Sequence, residues 1–212
     1  MNVAYIKPLR NIIVAAIVLG LFFLFVGMLR SGIGYFQPLR WGVVVQNKLY
    51  RTDTPDWQAM KRAVERHKIK VVVELLTEEQ KHIAIEKANL FKEIGVEYYS
   101  FSMWGDGIAL PEVYAEVLTA IQKSIEQGKP VLVNCAAGVK RTGATIALYR
   151  VLIQKYPPQL AYSELKDYCP RQFWDKKLVN HLNSNMLAIA SNLYQNGVLS
   201  RMPEVAPVIK GD

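Results

Sequence analysis

The chain has 212 residues, 51% of them hydrophobic and 21% charged, a balance that excludes a disordered polar chain and leaves room for one compact domain plus an appendage. A formal net charge of +8 suits an anionic partner, but no arginine-rich tract, zinc-ligand spacing or nucleic-acid motif accompanies it, so no nucleic-acid partner is expected. Two cysteines, Cys135 and Cys169, without CxxC spacing argue against a disulfide framework and leave only a single bridge open.

Asn11 to Leu29 is a run of nineteen residues without a charge, rich in Ile, Val, Leu and Phe. At about 1.5 Å per residue it nearly matches a hydrocarbon core of roughly 30 Å. Lys7 and Arg10 precede it and Arg30 follows, where lipid headgroups would lie. A cleaved signal peptide is the alternative; the run is longer than a usual signal core, and Phe25 to Arg30 lacks a small-x-small cleavage site. The expectation is a basic flank at 1–10 and a retained single-pass transmembrane helix at 11–29. Arg30, Arg40, Lys48 and Arg51 on the far side lean the positive-inside bias toward a cytoplasmic catalytic domain, although both flanks are basic. Residues 30–39, with two glycines and a proline, read as a juxtamembrane linker, 40–196 as the folded domain and 197–212 as a C-terminal tail.

Within the domain, Val43–Val45 and Leu49–Tyr50 are short strands separated by a Gln-Asn turn. A helix is predicted over Pro55–His67, with Thr54 as N-cap and Pro55 in the first turn. Ile69–Leu76 is a nearly continuous β-branched run, as in a strand buried on both faces. Glu78–Ile94 has helical spacing and stops at Gly95; Val96–Phe101 is a strand; Pro111–Gln127 is a helix closed by Gly128. Pro130–Asn134 is a short apolar strand, followed by helices over Thr142–Tyr156, Gln159–Tyr168 and Trp174–Asn196. Strands alternating with helices imply an α/β domain: a central, mostly parallel sheet flanked by helices, preceded by the one transmembrane helix.

The chemistry lies in Val131-Leu-Val-Asn-Cys-Ala-Ala-Gly-Val-Lys-Arg-Thr-Gly143, where a buried strand runs into a cysteine, an arginine and a helix start. The backbone N–H groups of Ala136, Ala137, Gly138, Val139, Lys140 and Arg141 can curl around one point as an anion-binding nest. The helix that follows adds its positive N-terminal end. The small residues Ala136, Ala137 and Gly138 let the backbone approach a tetrahedral oxyanion closely. Arg141 offers a planar fork for two phosphate oxygens, and Cys135 sits at the rim of this field, where a thiolate is favoured and becomes a nucleophile toward phosphorus.

Asn-Cys-Ala-Ala-Gly-Val-Lys-Arg-Thr-Gly resembles the signature loop of the protein tyrosine and dual-specificity phosphatase superfamily, His-Cys-x5-Arg-[Ser/Thr]-Gly. The likeness runs from about Trp41 to about Leu182. Leu49-Tyr-Arg-Thr resembles the opening strand and turn of bacterial and fungal-type atypical dual-specificity phosphatases, Ile69-Lys-Val-Val-Val-Glu-Leu their next strand, and Thr142-Gly-Ala-Thr-Ile-Ala-Leu-Tyr-Arg their post-loop helix. The resemblance implies hydrolysis of a phosphate monoester through a phosphocysteine, with no metal and no organic cofactor. Its substrate would be a phosphotyrosine or phosphoserine/threonine protein, or a phospholipid or inositol phosphate. It also implies a general acid on a preceding loop: Asp106, in Trp104-Gly105-Asp106, resembles the family's Trp-Pro-Asp loop with glycine for proline. Asp-Gly is also a common turn dipeptide, and Asp53 and Glu112 are the fallbacks. Thr142 resembles the hydroxyl that stabilises the thiolate as the intermediate breaks down.

Two positions depart from the pattern. Asn134 replaces the usual histidine; it can hydrogen-bond loop backbone but brings no positive charge to the thiolate, which implies slower chemistry. Lys140, inside the loop, is either a solvated lysine or an added charge for polyanionic substrates. Two rival readings follow: a pseudophosphatase that binds phosphate without turnover, and another thiol enzyme such as a sulfurtransferase or arsenate reductase, which the Arg141-Thr142 pair disfavours. Cys169 reads as a partly buried structural cysteine, with a resolving thiol as the alternative, and His67, His82 and His181 lack metal-ligand spacing. Arg171 to Trp174 is expected to pack below the sheet.

Overall fold

The computed structural model describes residues 15–26, 38–169 and 176–210. The chain divides into two units, Met1–Gln37 and Pro38–Asp212. In the first, residues 15–26 form helix α1, on which Ile17, Val18, Leu19, Leu21, Phe22, Phe23, Leu24 and Phe25 are exposed. The remainder of the expected span 11–29 lies outside the described residues, and among the described residues no helix is long and apolar enough to cross a membrane.

The second unit is an α/β domain around a five-stranded sheet in the order β1-β2-β5-β3-β4. The strands are β1 (Gly42–Val45), β2 (Leu49–Thr52), β3 (Val71–Leu76), β4 (Glu97–Ser102) and β5 (Val131–Cys135). Only the β1–β2 pair is antiparallel; β2–β5, β5–β3 and β3–β4 are parallel, as the alternation of strands and helices implies. Side chains alternate across the sheet, so each strand feeds two cores. Val71, Val73, Leu75, Val131, Val133 and Cys135 pack with helices α4 (Pro111–Glu126), α5 (Lys140–Leu148), α6 (Pro158–Asp167) and α7 (Lys176–Gln195). Val72 and Leu132 face α2 (Trp57–His67) and α3 (Ala84–Glu93), meeting Met60, Val64 and Phe91. Eight of the nine α5 residues are buried, so the helix that follows the signature loop runs through the centre of the larger core.

Several local expectations are corrected. Asp56, not Thr54, caps α2: its carboxylate accepts from the Ala59 N–H at 3.0 Å, and Pro55 precedes the helix. The Thr54 hydroxyl is engaged elsewhere, below the signature loop. The segment read as one helix from Glu78 begins instead as a 3₁₀ turn, Glu78–Ile83, before α3. The helix read as continuing to Tyr156 gives way after Leu148 to a π-helical turn, Tyr149–Ile153, centred on buried Arg150. The Arg150 guanidinium donates to both Glu164 oxygens and to the Val44 carbonyl, which satisfies a charge buried beside the larger core. The segment beyond Gln195 is not a detached tail: Leu199 and Ile209 are buried in the larger core, and Asn183 exchanges two hydrogen bonds with the Ile209 backbone. Arg171 to Trp174, and the Trp174–Asp175 start of the last predicted helix, lie outside the described residues.

Candidate active site

β5 delivers the signature loop to the end of the parallel strands, where an α/β sheet places ligands. Cys135 is the last residue of β5 and pairs with Leu75 of β3. The chain then curls: the Gly138 N–H donates to the Cys135 carbonyl at 3.1 Å, and the Gly143 N–H donates to the Val139 carbonyl at 2.7 Å as α5 begins. Gly138 has φ of 63°, and a Cβ there would lie 2.7 Å from the Asp53 nitrogen and 2.8 Å from the Thr52 carbonyl. Glycine is therefore what lets the loop press against the end of β2.

A cavity of about 430 Å³ opens over the loop, lined by Arg40, Gly105, Asp106, Cys135, Ala137, Val139, Lys140 and Arg141. Cys135, Arg141, Asp106 and the loop residues Ala137, Val139 and Lys140 thus share one space, whereas Ala136, Gly138 and Thr142 are not part of its lining. Arg141 is buried, and its Nη1 donates to the Leu75 carbonyl at 2.6 Å and to Gln80 Oε1 at 3.2 Å. With Nη1 committed to β3 and to the 3₁₀ turn, the remaining edge of the fork is the one left for an oxyanion. Thr142 is fully buried, and its hydroxyl has no partner among the described residues.

Asp106 satisfies the turn reading and the cavity reading together. Its Oδ1 accepts from the Ile108 N–H at 3.1 Å, as in an Asp turn, while Oδ2 lies 3.4 Å from Lys177 Nζ on α7. Gly107 brings this turn onto the loop: its φ is 90°, and a Cβ would come within 2.9 Å of the Lys140 carbonyl carbon. Of the fallbacks, Asp53 does not line the cavity; it is buried at the loop's underside, burial pushes its carboxyl above the usual range, and the Thr52 hydroxyl and the Arg40 charge act the other way. Glu112 lies in the first turn of α4, outside the cavity lining.

Asn134 does not hydrogen-bond loop backbone through its amide nitrogen, as expected. It points to the opposite face of β5 from Cys135, where Nδ2 donates to Thr54 Oγ1 at 2.8 Å and Glu74 Oε1 at 3.2 Å. Glu74 is a buried carboxylate that also accepts from Lys87 at 2.5 Å, Tyr98 at 2.7 Å and Thr54 at 3.1 Å. The Thr54 N–H reaches the Ala136 carbonyl at 3.4 Å, so this caged charge is tied to the loop through one residue. Burial, and after it the charge and hydrogen bond of the ionised Glu74, push the Tyr98 hydroxyl far above its ordinary range.

The sequence reading passed over a second buried charge. Arg51 of β2 is 1% exposed, stacks over the Tyr168 ring at 3.6 Å and donates from Nη2 to the Gly138 carbonyl at 2.9 Å. Burial pulls its value down to about 10, opposed by the negative charges available to Tyr168, Glu164 and Cys135, so it remains a cation at neutral pH. A positive charge thus reaches Cys135 from beneath the loop without a histidine at 134. Arg51 belongs to Leu49-Tyr-Arg-Thr, and an arginine inside a fully buried strand was the available signal. Cys169 is half-buried within electrostatic reach of Lys140 and Arg40, burial pushes its thiol up, and neither cysteine is in a disulfide.

Residues 53–184 match the dual-specificity phosphatase catalytic domain family. The chain belongs to that family. It is a phosphatase domain, a hydrolase of phosphate monoesters. No curated protein matches the chain. Among solved structures, the core catalytic domain of the PP-IP phosphatase SIW14 from S. cerevisiae, in complex with citrate, aligns with a TM-score of 0.57 at 23% identity, covering 77% of this chain and 96% of that one. A cysteine-to-serine variant of P. aeruginosa TpbA in complex with pTyr aligns with a TM-score of 0.52 at 21% identity, covering 71% and 86%. PTPMT1 in complex with PI(5)P aligns with a TM-score of 0.57 at 14% identity, covering 74% and 96%. At these identities the likeness is one of fold.

Arg51→Met removes a buried cation from beneath the loop and the donor to the Gly138 carbonyl, and is expected to slow alkylation of Cys135 by iodoacetamide at neutral pH about tenfold. Arg51→Lys recovers part of the rate. Mass spectrometry of the Cys135 peptide reads both, and alkylation of Cys169 serves as the internal reference.

Proposed function

We propose that this phosphatase domain works through a phosphocysteine on Cys135. The observation that carries the reading is the shared cavity: Cys135, the fork of Arg141 and the carboxylate of Asp106 all line it, and the curled loop forms its floor. A phosphate monoester entering there meets the loop N–H groups and the free edge of Arg141 on its equatorial oxygens. The Cys135 thiolate attacks phosphorus, the P–O bond to the leaving group breaks, and Asp106 gives its proton to the departing oxygen. In the second half Asp106 takes a proton from water as that water attacks the phosphocysteine, and inorganic phosphate and the thiolate are released. In this reading the Thr142 hydroxyl, which has no partner among the described residues, donates to the returning thiolate.

The substrate class proposed is a phosphorylated protein or a phospholipid or inositol phosphate; the solved structures of similar fold include a PP-IP phosphatase and complexes with pTyr and PI(5)P. The second reading, a phosphate-binding pseudophosphatase, rests on Asn134 and on the Lys177 contact that occupies one oxygen of Asp106. Cys135→Ser is expected to abolish p-nitrophenyl phosphate hydrolysis. Asp106→Asn is expected to lower kcat about a hundredfold, with a larger loss on alkyl than on nitrophenyl phosphates, because only a poor leaving group needs the proton. Asp53→Asn is expected to fall far less. Binding without turnover in the wild type would favour the pseudophosphatase.

We also propose that Asn11–Leu29 anchors the domain in a membrane, with the catalytic domain on the cytoplasmic side. The uncharged run between basic flanks supports the anchor, as do the apolar side chains displayed around residues 15–26. In cells, the full chain is expected in the membrane fraction after alkaline carbonate washing, while a chain lacking residues 1–37 is expected in the supernatant. Release of the full chain by carbonate would contradict the anchor.

A further inference from the structure

We infer that Arg40 and Lys140 form a second anion subsite beside the signature loop, and that the substrate is a phosphorylated polyol carrying a second phosphate. The inference rests on the phosphatase reading of the loop but concerns the side chains of Arg40 and Lys140 and a different part of the ligand.

Arg40 is held in place from both sides. Its φ of 57° turns the chain at the entrance to the domain. The preceding Leu39 carbonyl accepts from the Asp53 N–H at 3.4 Å and the Thr52 hydroxyl at 3.2 Å, which fixes this turn to the end of β2. From there Nη1 donates to the Ala137 carbonyl at 2.9 Å, so the guanidinium stands on the rim of the loop and, among the described residues, uses only one of its donors. Lys140 opens α5 and lines the same cavity.

Charge and volume then define the ligand. Among the described residues, Arg40, Lys140 and Arg141 line the cavity against the single carboxylate of Asp106, which itself faces Lys177. A dianion gripped by Arg141 and the loop amides leaves Arg40 and Lys140 facing open space. A water takes about 30 Å³ of liquid volume, so one phosphate, on the order of a few waters, fills only part of a 430 Å³ cavity. Among the described residues the uncharged lining is Gly105, Cys135, Ala137 and Val139, with no aromatic side chain. Trp104 lines a neighbouring groove instead, with Met103, Leu110 and Val113. A phosphotyrosine ring would find no aromatic wall here, whereas a hydroxylated ring with another phosphate meets two more cations. A soluble polyol phosphate and a lipid headgroup share this chemistry.

The test uses the full chain in mild detergent with Cys135→Ser, which binds without turnover, and titrates inositol monophosphate and inositol bisphosphate by calorimetry. The expected result is a bisphosphate preference of about tenfold or more, as one charge-assisted hydrogen-bond pair supplies. Arg40→Ala brings the two affinities to within about twofold, and Arg40→Lys restores part of the difference. A second arm compares phosphatidylcholine vesicles containing phosphatidylinositol bisphosphate with vesicles matched in charge by phosphatidylserine. Arg40-dependent preference in solution assigns a free polyol phosphate, and preference confined to vesicles assigns a lipid headgroup; either supports the subsite. Equal affinity for mono- and bisphosphate in solution together with no preference for the phosphatidylinositol bisphosphate vesicles overturns it, as does an equal loss of both ligands in Arg40→Ala, or tighter binding of a phosphotyrosine peptide. Wild-type turnover is read separately. An Arg40-dependent preference with no hydrolysis overturns the phosphatase reading and leaves the subsite standing; hydrolysis without the preference does the reverse.

Discussion

The curl of backbone from Cys135 to Arg141, pressed against the ends of β2 and β3, is the constraint on which the rest of the site depends. Amides that point at one spot repel one another until an anion arrives, so something else has to hold them there. Here it is the underside of the loop. The carbonyls facing away from the cavity are taken by neighbours: Ala136 by the Thr54 N–H, Ala137 by Arg40 and Gly138 by Arg51. These bonds fix the curl from below and outside, while the Gly138 N–H closes it from within by donating to the Cys135 carbonyl.

Two buried charges sit behind that arrangement. Glu74 and Arg51 come from the strands on either side of β5, and each is almost wholly removed from water. An unpaired buried charge costs several kcal/mol, so both need dedicated partners. Glu74 has Lys87, Tyr98, Thr54 and Asn134; Arg51 has the Gly138 carbonyl and the Tyr168 ring. The asparagine at 134 fits this scheme: it bridges Glu74 to Thr54 as a neutral donor, while the cation near the nucleophile comes from the other strand. The departure from the family pattern is a redistribution of charge around the loop.

The sheet and the loop were legible in the sequence because both rest on local rules. The β-branched runs marked strands β3 and β5, and cysteine, small residues and arginine before a helix marked the nest. Less visible was everything that depends on which strand neighbours which. That Arg51 and Glu74 flank the loop follows from the order β2-β5-β3, which no local pattern encodes. The capping of α2 was misread because Thr54, just before Pro55, is an acceptable cap in isolation, whereas Asp56 is the better one and the Glu74 cluster claims the threonine. Arg40 looked like one more basic residue on a membrane flank; its contact with Ala137 spans ninety-seven positions. Ile209 carried no periodic signal, lying beside Val208 in a short stretch broken by Pro203 and Pro207, yet it is wholly buried.

The most direct test is to mix the wild-type chain with p-nitrophenyl phosphate, quench with acid within the first turnovers, and sequence the peptides by mass spectrometry. The account predicts a phosphoryl group on the sulfur of Cys135, absent from Arg141→Ala and Cys135→Ser and longer-lived in Asp106→Asn. Hydrolysis that proceeds with no phosphoryl group on Cys135, or that survives in Cys135→Ser, would contradict it.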